Sequence, residues 1–134
     1  MRMRSLIFAF SAFSCAAIAV DIHEPKPGSP ERAAVMEAMR GPIAKHVGKQ
    51  VTFTGSVKVS GEWATFQGNV APSDGKPPKG DVATELEFDF FALLHRDGGI
   101  WKMLHWGFAG DIGPAEEARK KYPQAPKALF PYLQ

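Results

Sequence analysis

Two residues of this 134-residue chain have the types and spacing for acid–base work. His105 and Asp89 fall on two segments that alternate apolar and polar residues, "TELEFDFFALLH" (84–95) and "IWKMLHWGF" (100–108). Joined as an antiparallel hairpin, these segments set His105 opposite Phe91 and diagonal to Asp89, within reach of a cross-strand pair. A histidine oriented by a carboxylate can act as a general base. The simpler reading is a histidine on a sheet surface, bonded to a neighbour or to water. It is preferred because the register puts no nucleophile and no second acid beside it.

The other histidines offer less. His95 sits at a hairpin end, His46 near a helix C-terminus where a cation is favourable, and His23 in a proline-rich leader. No two have the i,i+2 or i,i+4 spacing of paired metal ligands. A metal site would have to be assembled at long range from His105, Asp89 and Glu87, and neither a metal nor a cofactor is expected. The row Glu85, Glu87, Asp89 reads as a solvated strand face.

Aromatic and aliphatic residues make the stronger pattern. "RDGGI" (96–100) predicts a three-residue loop over 97–99, with Arg96 opposite Ile100. One face then carries Phe88, Phe90, Ala92, Leu94, Leu104, Trp106 and Phe108, and is the seat for a helix. The other face carries Phe91, Leu93, Trp101 and Met103, with Trp63 from a neighbouring strand. Those five residues are the candidate ligand or interface surface, because large apolar patches left exposed are rarely idle.

The elements that must position these residues are read from cap, period and turn signals. Ser29 is an N-cap, Pro30 suits N1, and Val35, Met39, Ile43 and Val47 form one stripe at helical spacing. Gly41-Pro42 predicts a kink or a break into two short helices, and Gly48 closes the run. Val51, Phe53, Val57 and Val59 alternate with polar residues as a half-buried strand. Ser60-Gly61 turns the chain, and Ala64, Phe66 and Val70 share a face on the return. Gly55 and Gly68 mark bulges or close backbone approach. "PSDGKPPKGD" (72–81) predicts a long mobile loop, "PAEEARKKY" (114–122) a short helix, and Leu129, Phe130 and Leu133 pin the tail onto the sheet.

The first nineteen residues have the layout of a secretory signal peptide. Arg2 and Arg4 precede a short apolar run, and Ala17-Ile18-Ala19 is a cleavage motif. Cys15, the single cysteine, offers a lipoprotein alternative, though Ala12 and Phe13 stand where leucine and a small residue are usual. Cleavage after Ala19 leaves no cysteine. Without Arg2 and Arg4 the 16 basic residues fall to 14, level with the 14 acidic ones. Such a balance, with scattered lysines, excludes a polyanion-binding surface such as a nucleic-acid site. The expected organisation is a signal peptide over 1–19, a flexible leader over 20–29 and a single domain over 30–134. The expected address is periplasmic or secreted, with no membrane span.

The expected fold class is α+β, an N-terminal helix packed on a curved four-stranded antiparallel sheet, followed by a short C-terminal helix. This order resembles the roll of the nuclear-transport-factor-like and cystatin-like superfamilies. The pieces 28–43, 51–70, 92–114 and 122–130 are also similar to a group of small secreted bacterial proteins of unknown function. That resemblance implies a roll and an extracytoplasmic address, and carries over no catalytic residue. Enzymes of the roll place a buried Asp, Tyr or His between sheet and helix, whereas the inward face here is Phe, Trp, Leu and Ala. A cystatin-type inhibitor is excluded, because "QVTFTG" (50–55) has Thr52 where that motif needs valine and no Pro-Trp occurs.

The expected function is therefore a non-enzymatic extracytoplasmic module. Its expected partner is a small apolar ligand, another protein or a second copy of the chain. The alternative is a roll-superfamily enzyme, hydrolase- or isomerase-like, using His105 and Asp89.

Overall fold

The computed structural model describes residues 21–130; the signal-peptide and Cys15 expectations, and the pinning by Leu133, lie outside them. Helix α1 (Pro30–Val47) is followed by strands β1 (Val51–Ser60) and β2 (Trp63–Pro72) and a single helical turn, α2 (Val82–Glu85). Strands β3 (Phe90–Asp97) and β4 (Ile100–Phe108), helix α3 (Gly113–Lys121) and a 3₁₀ turn at Lys127–Leu129 complete the order. The four strands form one antiparallel sheet in the order β1-β2-β3-β4. The expected α+β class is the observed one.

Helix α1 starts and stops on its cap residues. The Ser29 hydroxyl accepts the Arg32 N–H at 3.2 Å, and Gly48 takes a left-handed φ of 83° while its N–H reaches the Ala44 carbonyl. The break expected at Gly41-Pro42 does not occur, and the helix runs through Pro42. Val35, Met39, Ile43 and Val47 are buried on both sides of that point and hold both halves to the sheet. Pro42 itself is exposed, so the ring meets no packed neighbour.

Gly55 and Gly68 face one another across β1 and β2. A Cβ on Gly68 would stand 2.1 Å from the Thr54 carbonyl oxygen, so close backbone approach is the reason for both glycines.

Strand β3 starts later than the alternation predicts. Val82 and Leu86, four residues apart, both pack half-buried on the α1 side of the sheet, so residues 82–85 form a helical turn. The row Glu85, Glu87, Asp89 is therefore not a strand face. The segment 72–81 is tied down: Lys49 pairs with Asp74 at 2.7 Å, its Nζ donates to the Lys76 carbonyl, and Pro78 is buried. The leader is docked as well. His23 exchanges two backbone hydrogen bonds with Val59, at 2.9 and 2.8 Å, and its ring meets Glu31.

The final hairpin departs from the expected register in two ways. Its loop has two residues, Gly98 and Gly99, both at positive φ (57° and 81°), and Asp97 faces Ile100. A bulge then leaves Leu104 unpaired: Leu94 faces Met103, but Leu93 faces His105. Before the bulge odd-numbered β4 residues look toward α1, and after it even-numbered ones do. Trp101 and Met103 therefore join Trp106 and Phe108 on the α1 side, and are not part of the second face.

The second face keeps Phe91 and Leu93, with Trp63 beside them, and the chain's own C-terminal part covers it. Ala115 and Ala118 of α3, with Ala125, Leu129 and Phe130, complete a second buried cluster. The Thr65 hydroxyl donates to the Leu129 carbonyl at 2.9 Å and fixes the tail in place. An open apolar interface on this face is thus replaced by an internal layer.

Beside the hairpin turn, Arg96 makes a forked ion pair with Glu62, both contacts at 3.1 Å, and its guanidinium lies over Trp101. The Arg96 hydrogen bond holds the Glu62 carboxyl below its ordinary value of 4.5. A depressed carboxyl stabilises the fold above the unfolded value, and that contribution is lost as pH falls through the folded one. Glu62→Gln is expected to lower the melting temperature slightly at pH 7 and to leave it unchanged at acid pH, which flattens the profile below pH 4.5.

Candidate functional site

The end of the β3–β4 ladder and the start of α3 enclose a cleft of about 140 Å³. Three local features open it. Asp89 accepts the Ala109 N–H through its backbone carbonyl at 2.9 Å, which joins the two strands at their ends. The chain then turns at Asp111, whose Oδ1 accepts the Gly113 N–H at 2.9 Å, and enters α3 at Pro114. Gly107 receives Pro114: a Cβ there would lie 2.9 Å from the proline Cγ, so only glycine lets α3 seat this close.

The lining of the cleft has an apolar part and a polar part. Phe91, Ala109, Ile112, Pro114 and Ala115 supply the first, and Gln67, Asp89 and Asp111 the second. Phe91 is 6 % exposed and is backed by Phe130, with ring centroids 5.8 Å apart, so this wall is held rigidly. Exposed Phe88 lies against Gly110 at the rim.

The structure brings together two of the residues singled out in the sequence. Asp89 and Phe91 both line the cleft, but His105 does not join them. Because of the bulge His105 faces Leu93, and its Nε2 meets Glu117 of α3 at 3.2 Å. That glutamate is largely exposed, at 71 %, and the pair sits on the outside of the helix–sheet seam. A general base needs its carboxylate and a substrate pocket on the same side, and here the carboxylate of the cleft and the histidine have separate surroundings. Leu93 is fully buried, and Trp63 lies tilted against the rings of His95 and Tyr122, at centroid distances of 4.4 and 6.3 Å. Among the described residues no three His, Cys, Asp or Glu side chains gather into a group able to hold a metal ion. Also among them, no helix is long and apolar enough to cross a membrane.

The turn "AGDIGP" (109–114) reads in the sequence only as a break between strand and helix. All of its residues but Gly113 line the cleft, and so does Gln67 of the neighbouring strand β2. An Asp two residues before a Gly-Pro helix start was the available signal, since such an aspartate commonly folds back onto the backbone ahead of it. Comparison with protein-family models, with curated proteins and with solved structures gives no match for the chain.

Proposed function

We propose that the protein is a non-enzymatic extracytoplasmic module that holds a small ligand in the cleft beside α3. The observation that carries this reading is the cleft itself, lined by an aromatic ring held from behind, further apolar residues and a few polar groups. Small-molecule sites have that composition: mostly apolar lining with a few polar groups that set orientation. The size bounds the ligand. A cavity of about 150 Å³ accommodates a benzene-sized molecule, so a body of that scale suits the 140 Å³ here. The extracytoplasmic address rests on the basic, apolar and Ala-x-Ala pattern of residues 1–19. The roll superfamilies named above stay part of this proposal.

The test is a titration of the full chain with benzyl alcohol, followed by NMR. Shifts are expected to concentrate at Phe91, Ala109 and Ile112. Ala109→Leu puts three further carbons into the cleft from a partly exposed wall. It is expected to abolish those shifts with little change in melting temperature. Shifts scattered over the surface, or shifts that survive Ala109→Leu, would sink the reading.

A further inference from the structure

We infer that the ligand of this cleft is a small organic cation, an amine whose apolar body rests on Phe91 and whose ammonium group meets Asp89 and Asp111. The inference rests on the binding reading above and adds the chemical class. The cavity does not depend on the Asp89 carboxylate, since Gly107–Pro114 packing, the Asp89–Ala109 backbone bond and the Asp111 turn create it. The question is then which charge the space selects.

Two opposing fields act there. The N-terminus of α3 carries about half a positive charge, which by itself favours an anion. Asp111 already accepts the Gly113 N–H, so one of the donors at that end is occupied by a carboxylate belonging to the protein. Against the half charge stand the two full negative charges of Asp89 and Asp111, both lining the cleft. Glu116 in the first turn of α3 adds to the same sign. No Lys, Arg or His lines the space. The balance is negative, an anion is repelled, and a cation gains.

The apolar wall points the same way. The face of an aromatic ring attracts a cation held over it, and Phe91 is fixed by Phe130 behind it. Ile112, Pro114 and Ala115 leave space for hydrocarbon and offer no side-chain hydrogen bond. A bare metal ion would find two carboxylates and too few further ligands. An amine with a compact hydrocarbon body satisfies both walls together.

The experiment compares two probes of nearly equal shape on the full chain: benzylamine, cationic at pH 7, and benzyl alcohol, neutral. Both are titrated by NMR at low and high salt, against the parent and against Asp89→Asn and Asp111→Asn. Asparagine at 111 keeps an oxygen for the Gly113 N–H, and tryptophan fluorescence checks that each variant remains folded. Benzylamine is expected to bind more tightly than the alcohol and to weaken with salt. It should lose about fivefold with each asparagine, the upper range for one exposed ion pair. The alcohol should change in neither respect. Equal affinity for both probes overturns the cation inference and leaves the cleft as a neutral site. If neither probe shifts Phe91, Ala109 or Ile112, both the inference and the binding reading are overturned.

Discussion

Gly68→Ala is expected to cost about 3 kcal/mol or more, a large share of the roughly 5–15 kcal/mol by which such a domain is stable. The added carbon would lie 2.1 Å from the Thr54 carbonyl oxygen and 2.7 Å from the Gly55 Cα. Both obstacles are backbone, so no side chain can swing aside. Relief must come from separating β1 and β2, along a ladder that pairs ten residues on each strand. Gly68 also pairs with Phe90 on its other side, at the start of β3. The disturbance therefore reaches the strand end where Asp89 and Phe91 line the cleft. Urea unfolding followed by tryptophan fluorescence measures the loss. A cost below about 1 kcal/mol would mean that the two strands can part more easily than overpacking normally allows.

Phe130→Ala carries the second large effect, about 3–5 kcal/mol for deleting a fully buried aromatic side chain. Phe130 is inaccessible to solvent, faces Phe91, and has the Arg119 guanidinium 5.7 Å from its ring centre. Its removal leaves a void behind the aromatic wall and loosens the tail that Leu129 anchors. Phe91 and Leu93 would then be intermittently uncovered. The expected result is a lower urea midpoint together with concentration-dependent self-association in sedimentation velocity. An unchanged midpoint would show that the tail covers the second face without holding it.

The elements that were legible in the sequence are those whose signals are local. Ser29, Pro30 and Gly48 mark the ends of α1, and the Val35–Val47 stripe marks its buried face. Alternation in β1 and β2 places Phe66 and Trp63 on opposite sides of the sheet. Glycine chemistry at 98–99 announces a hairpin. What was not legible depends on the count of residues between distant partners. A loop of two residues and one of three are both compatible with "DGG", and a bulge at Leu104 has no composition of its own. From the loop length came the misplacement of Trp101 and Met103, and from loop and bulge together the pairing of His105 with Asp89. Pro42 and the Val82–Leu86 turn were misread for a related reason, because burial against the sheet outweighs local propensity. In the candidate site, Asp89 and Phe91 were visible as strand residues. Gln67 and residues 109–115 become site residues only when α3 folds back over the second face.

The unpaired residue in β4 has a consequence for how this protein tolerates changes of length. If the pairing from the Asp97–Ile100 turn continued without interruption, Trp106 would stand opposite Phe91, on the face that α3 covers. An indole would then occupy the space where Gly107 now admits Pro114. The cleft would be filled from within by the protein's own ring. Deleting Leu104 would leave Trp106 opposite Ala92 and Gly107 opposite Phe91, so the loss of that one residue is tolerated, whereas drawing Leu104 into the ladder would plug the pocket while every residue lining it keeps its identity. Among related chains, the register of this hairpin, and not its length, would show whether the pocket exists.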